Sequence, residues 1–222
     1  STPRPGEISL AHNGVLFLDE LTEFDRRVLE VLREPLETGT ITISRAARQA
    51  EFPARFQLVA AMNPCPQGYA CDLNENCRCT PEQQRRHRSR LSAPLLDRID
   101  LQIEVPRVDH ESLSRPDPEA ETSASVRARV ERARRLQLER QARPNALLGN
   151  RELEAVGGLQ PADTELLRQA MERFKLSARA YHRILKVART IADLASAERI
   201  ETPHLMEALS YRTMDRWLAS ER

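Results

Sequence analysis

Four apolar residues run without a break from Val15 to Leu18, and two carboxylates, Asp19 and Glu20, come directly after. An uninterrupted apolar run of this length predicts a strand buried on both faces of a parallel sheet. From Asp25 to Leu36, Val28, Leu29 and Leu32 recur at helical spacing. Asp25 is the natural N-cap there, and Pro35 should end or kink the helix. Thr40-Ile-Thr-Ile-Ser44 alternates, which predicts a strand. Arg45 to Gln49 reads as a polar, basic connection, with Glu51-Phe-Pro53 as the returning arm and Pro53 restricting it to an edge or a strand end. Phe56 to Ala61 reads as another buried strand. It leads into Met62-Asn63-Pro64, which puts Asn63 at the same sheet edge as Asp19 and Glu20. Pro106 to Glu121, with Pro116 and Pro118, has the composition of a linker.

After Glu121 the pattern is helical to the end. Val126 to Arg143 sets Val126, Val130, Ala133 and Leu136 among alternating Arg and Glu, the pattern of a solvated helix with i,i+4 pairs. Pro144 and Gly149 punctuate the chain. Pro161 suits a first helical position, with Leu166, Leu167, Ala170, Met171 and Phe174 on one face. Ser177 caps a helix that buries Tyr181, Ile184, Leu185, Ala188, Ile191 and Ala192. Thr202-Pro203 opens a last helix, whose Leu205 and Leu209, with Trp217, close the core. The expected domains are an α/β part over 1–106, a linker over 107–121 and an all-α part over 122–222.

Composition changes this picture in three places. With 40% hydrophobic residues, a net charge of +1 and 222 residues, the chain can bury a real core, which excludes wholesale disorder. No run approaches the roughly 18 apolar residues of a membrane span, and no leader pattern opens the chain, so a cytoplasmic protein without membrane partners is expected. Only seven glycines are present, none in a Gly-rich phosphate loop, and Lys175 and Lys186 are the only lysines. The wealth of arginine has two readings, guanidinium contacts or biased genome composition.

Several clusters carry chemistry. Four bulky apolar residues followed by Asp-Glu form the Walker B pattern: Asp19 would hold Mg²⁺, usually through water, and Glu20 would polarise the attacking water. The blander reading makes them the start of a loop. Cys65, Cys71, Cys77 and Cys79 fall within fifteen residues, and four thiolates suit a structural Zn²⁺. Their C-x5-C-x5-C-x-C spacing lacks C-x2-C knuckles, so a flexible loop with free thiols is the alternative. His87 is a weak further ligand, and a solvated surface position is the competing expectation. Arg45 and Arg48, at the proposed hairpin tip, suit DNA phosphates, with packing or solvation as the counter-reading. Arg85-Arg-His-Arg-Ser-Arg90 is a second basic cluster. Rings are too sparse near these arginines for a base-stacking platform.

Gly14-Val-Leu-Phe-Leu-Asp-Glu20, Val59-Ala-Ala-Met-Asn-Pro64, Pro94-Leu-Leu-Asp-Arg-Ile-Asp100 and Leu176 to Leu194 occur in this order. Together they resemble the magnesium-chelatase-like branch of AAA+ ATPases over essentially the whole chain. The resemblance implies a fold class of α/β, a partial AAA+ P-loop core with a parallel sheet, followed by an all-α lid. It also implies ATP and Mg²⁺ as cofactors. Asp19 and Glu20 would be the Walker B pair and Asn63 sensor 1. Arg98 would be the arginine finger, and Arg179 sensor 2, with Arg183 sharing or taking that role. From the residues alone, Arg98 reads as a salt bridge to Asp97 or Asp100, and Arg179 and Arg183 as a solvated helix face. Related sequences usually read Asn-Pro-Cys-Pro-Cys-Gly from sensor 1 onward; here Gln67 replaces the second cysteine and Cys71 is offered instead.

The family's phosphate loop, G-x-x-x-x-G-K-[ST], is absent. The expectation is therefore the C-terminal part of a longer ring-forming ATPase, inactive alone and hexameric when the phosphate-loop half is present. The implied activity is a DNA helicase or branch-migration motor acting as transforming DNA is integrated. A chelatase-type subunit inserting Mg²⁺ into a porphyrin and a non-catalytic, zinc-stabilised interaction module are the alternatives.

Overall fold

The computed structural model describes residues 3–45, 48–68, 77–106 and 120–212. The chain divides into two compact units, Ser1–Ile99 and Asp100–Arg222. The first is mixed α/β and the second all-α, as the sequence pattern predicts.

The first unit opens with a single turn, α1 (Glu7–Leu10), and then β1 (Val15–Leu18). After a 3-10 turn at Leu21–Glu23 come α2 (Arg26–Val31) and α3 (Arg33–Thr38). Asp25 caps α2 by accepting the Arg27 N–H at 2.7 Å. Pro35 does not end the helical stretch. It has no N–H for the Val31 carbonyl, so the helix breaks upstream at Leu32 and continues to Gly39, whose φ of +75° stops it. Strands β2 (Thr40–Arg45) and β3 (Arg48–Pro53) then pair antiparallel, from Thr40 opposite Pro53 to Arg45 opposite Arg48. The arms are thus longer than expected. The ladder's own backbone bonds carry it through positions whose side chains gave no strand signal, and Pro53 ends β3.

The second sheet is the pair of β1 with β4 (Gln57–Ala60), parallel and in register from Val15 opposite Gln57 to Leu18 opposite Ala60. The expected burial of β1 on both faces does not occur: Val15 and Phe17 are each 59% exposed. Two strands alone cover each other's edges, not their faces. Helices α4 (Pro81–Arg88) and α5 (Ala93–Leu96) complete the unit. Neither is announced by apolar periodicity, because caps define them. Thr80 and Gln83 form a reciprocal capping box on α4, and Ser92 caps α5. Leu21, Leu29, Leu32, Leu91, Leu95 and Leu96 lie buried in this unit.

In the second unit, α6 (Ser123–Gln141), α7 (Asn150–Gly157), α8 (Pro161–Phe174), α9 (Ala178–Leu194) and α10 (Thr202–Ser210) form a bundle. Pro161 stands in the first turn of α8, and Ser177 accepts the Ala180 N–H at the head of α9. Leu153, Leu167, Ile184, Leu185, Ile200 and Leu205 form its core, each worth about 1.5–3 kcal/mol of burial. Trp217, expected to help close this core, lies outside the described residues. The first half of α6 is solvated, with Val130 half exposed, and only Ala133 and Gln137 of this helix are buried.

A polar knot fastens α6 to the bundle. Asp193 accepts a two-pronged bond from Arg140, at 2.7 and 3.0 Å, and further bonds from Arg189 and Asn145, each at 2.8 Å. Arg189 is fully buried and also donates to the Ala197 and Glu198 carbonyls. Burial pushes the Asp193 carboxyl up, but Arg140, Asn145 and Arg189 outweigh it and hold it below the usual carboxylate value.

Replacing Asp193 with Ala would leave Arg189 buried without its counter-charge. The expected loss is about 3–5 kcal/mol of stability, read by chemical denaturation. Because the folded carboxyl is the stronger acid, its contribution is full above pH of about 4 and disappears as pH falls through the depressed folded value. Denaturation midpoints of the Asp193→Ala protein should consequently fall less than those of the parent over that acid range.

Candidate functional site

Parallel pairing builds the candidate site. The Ala61 N–H donates to the Leu18 carbonyl and the Leu21 N–H to the Ala61 carbonyl, each at 2.9 Å. These bonds carry the pairing past the strand ends and set Asp19, Glu20 and Asn63 on adjacent connections. The C-terminal edge of a parallel sheet is where such folds bind ligands. Asp19 is exposed, and its Oδ1 accepts the Glu20 N–H at 2.9 Å. Glu20 has a φ of +49°, in the left-handed region, which costs a non-glycine residue on the order of 1 kcal/mol. The Glu23 N–H returns to the Glu20 carbonyl at 2.7 Å and closes this turn.

The Asn63 segment is held from two sides. His87, on α4, is buried, and its Nε2 lies 3.0 Å from the Asn63 carbonyl. A carbonyl only accepts, so Nε2 carries the proton. This overturns the expectation of a solvated surface histidine: its ring has a backbone partner that no sequence spacing announces. On the other side, the Gly68 N–H donates to the Cys65 carbonyl at 3.0 Å. Gly68 has a φ of +54°, and a Cβ there would stand 3.3 Å from the Asn63 side-chain amide.

Three of the four cysteines come together. The Sγ atoms of Cys65, Cys77 and Cys79 lie within 4.8 Å of one another. Cys71 lies outside the described residues. Donors of this type and spacing suit a soft metal such as zinc.

The arginines divide. Arg98 has a partner beyond its chain neighbours Asp97 and Asp100. Its Nε is 3.1 Å from Glu37, its Nη1 donates to the Pro94 carbonyl at 2.6 Å, and its side chain is only 9% exposed. Glu37 reaches it from α3, which local sequence does not reveal. In the second unit, Arg183 donates to Asp100 at 2.7 Å and is mostly buried, against the expectation of a solvated face. Arg179, one turn earlier, is exposed. Arg45 and Arg48 form the last pair of the β2–β3 ladder, on either side of its tip.

The basic cluster at 85–90 is not one patch. Arg85 and Arg86 face solvent and His87 faces inward. Arg90 donates to the Thr22 carbonyl and lies 3.2 Å from Glu23, tying this segment to the turn after Glu20. Sequence reasoning missed Arg90, His87 and Gly68 as supports of the site. Of these, only the glycine carried a signal, through its place in a Pro-rich turn.

Among known proteins, a family model described as magnesium chelatase, subunit ChlI, matches residues 1–113, and one described as the C-terminal part of that subunit matches residues 120–212. The chain is 54% identical to the competence protein ComM of Haemophilus influenzae and 51% identical to the YifB protein of Escherichia coli, over 97% of its length in both cases. It is 26% identical over 91% of its length to the DNA replication licensing factor Mcm6 of Drosophila melanogaster, covering 25% of that protein. The chain spans 42% of the length of the ComM and YifB relatives. No helix among the described residues is long and apolar enough to cross a membrane.

Gly68→Ala should cost on the order of 1–2 kcal/mol, because the left-handed backbone and the Asn63 amide both oppose a Cβ. Thermal unfolding measures this. Gln67→Ala, at the exposed neighbouring position, is the control and should stay within about 0.5 kcal/mol of the parent.

Proposed function

The chain belongs to the magnesium chelatase ChlI family of AAA+-type ATPases, and from that premise we propose that it is the Walker B-to-lid portion of a ring-forming ATPase that acts on DNA. The observation that carries this reading is the β1–β4 register, which sets Asp19, Glu20 and Asn63 at one sheet edge. Phosphoryl transfer asks the protein mainly for positioning and charge neutralisation. In this reading Asp19 holds Mg²⁺ through water, Glu20 polarises the attacking water, and Asn63 orients that water or the γ-phosphate of ATP. Arg98 serves a neighbouring subunit's nucleotide in a hexamer, which requires its release from Glu37. Arg179, exposed at the head of α9, acts as sensor 2 from a lid spanning 122–222. Arg183, one turn further along the helix and bonded to Asp100, shares or takes that role.

The phosphate loop would come from the remainder of a longer protein, so the 222 residues alone are expected to bind ATP weakly and not to hydrolyse it. Relatives named for competence and for DNA replication support DNA as the substrate, and the arginines flanking the β2–β3 tip offer a phosphate contact. Helicase or branch-migration activity is the form of work proposed. The thiols of Cys65, Cys77 and Cys79 are the candidate ligands of a structural zinc ion. A chelatase-type role, driving Mg²⁺ into a porphyrin, is the second reading, supported by the description of the family model.

The test uses the intact protein. Glu20→Gln should keep ATP binding and lose hydrolysis by about 10²-fold or more. Arg98→Ala should lose about 10³-fold or more where the finger acts between subunits. Full ATPase activity in both variants would overturn the site assignment. Stimulation of hydrolysis by branched DNA, and not by a porphyrin, is expected; the reverse would favour the chelatase reading.

A further inference from the structure

The three clustered thiols do not behave as pieces of the hydrophobic core. Cys65 and Cys79 are buried and Cys77 is half-buried. Buried cysteines used for packing sit among hydrocarbon. These pack on one another, and among the described residues no buried or half-buried aliphatic or aromatic side chain belongs to the cluster. A tetrahedral zinc ion with Zn–S bonds of about 2.3 Å sets its sulfurs about 3.8 Å apart. Separations within 4.8 Å therefore need only a small closure.

The surroundings continue the pattern. The Gln84 side-chain amide donates to the Cys77 Sγ at 3.0 Å, the kind of outer-shell hydrogen bond that orients a metal ligand. Three residues along the same helix, His87 donates to the Asn63 carbonyl. Residues at i and i+3 share a helix face. One face of α4 thus grips both the thiol cluster and the segment carrying Asn63, and Cys65 stands only two residues beyond Asn63.

We propose that one zinc ion, bound by the thiolates of Cys65, Cys77 and Cys79, fastens the Asn63 segment to α4, so that metal loading sets how well Asn63 meets the nucleotide phosphate. The metal-binding half stands on the thiol geometry. The alignment half rests on the reading of Asn63 given under Proposed function. Each thiol releases its proton to solvent as its sulfur bonds the metal, and no electron is transferred. Gln84 and His87 are positioning residues, since both act on the site through other groups.

Elemental analysis of the intact protein should find one zinc per chain, lost from Cys65→Ser and Cys77→Ser. Cobalt replacing zinc should show thiolate charge-transfer absorption. Removing zinc from the parent with a chelator should lower kcat for ATP by about tenfold with KM unchanged, and added Zn²⁺, not extra Mg²⁺, should restore it. His87→Ala should lower kcat while zinc stays bound, and His87→Gln, which keeps an N–H donor, should recover much of the loss. A parent protein holding no more zinc than Cys65→Ser would overturn the proposal and leave the ATPase reading standing. Zinc removal without effect on kcat would overturn the alignment. Hydrolysis indifferent to Glu20→Gln would fell the nucleotide reading and the alignment with it, while the zinc content would still decide the metal site.

Discussion

Parallel backbone pairing between β1 and β4 is the constraint on which the candidate site depends. The whole β2–β3 hairpin lies between these strands in the chain, yet the register sets Leu18 opposite Ala60. Parallel strands emerge from a sheet in the same direction. The residues just beyond their C-terminal ends therefore share one edge, whatever the length of chain between. Two further bonds at Ala61 carry this constraint beyond the strands and into the loops. A slip of one residue would turn every side chain to the opposite face and would part the carboxylates from Asn63.

The rest of the first unit stabilises those two loops. Arg90 reaches back to the turn after Glu20, and His87 holds the backbone of Asn63. Both arise from the same short stretch, whose helix depends on the Thr80 capping box rather than on an apolar face. The charge-rich segment that looks like a solvated patch is thus partly scaffold. Buried polar groups must find partners, and a backbone carbonyl is a ready one for histidine. The second unit obeys the same rule: Asp193, Arg189, Arg140 and Asn145 satisfy each other inside a bundle otherwise closed by leucine and isoleucine. Removing one member leaves the others charged and dry, which is why such a knot specifies one packing.

Much of the architecture is legible in the residues themselves. Val15–Leu18 reads as a strand because four bulky apolar residues in a row suit little else of that length. Pro161 and Ser177 mark the starts of α8 and α9 through local chemistry, a missing N–H and a capping hydroxyl. The clustering of the cysteines, and the carboxylates after β1, are equally local signals. The order of the units is set by where alternation gives way to helical spacing.

Partners across the fold are a different matter. Sequence offered Asp97 and Asp100 to Arg98 because they are near in the chain, but it could not announce that Glu37 meets Arg98 from α3 or that Asp100 accepts from Arg183. The burial of His87, the pairing of Arg140 with Asp193, and the exposure of Val15 and Phe17 are also decided in three dimensions. The physical reason is common to them all. Periodicity, caps and turns are set by atoms within a few residues, so sequence determines them. Which distant group satisfies a buried charge or covers a strand face depends on register and packing, and only the tertiary structure decides that.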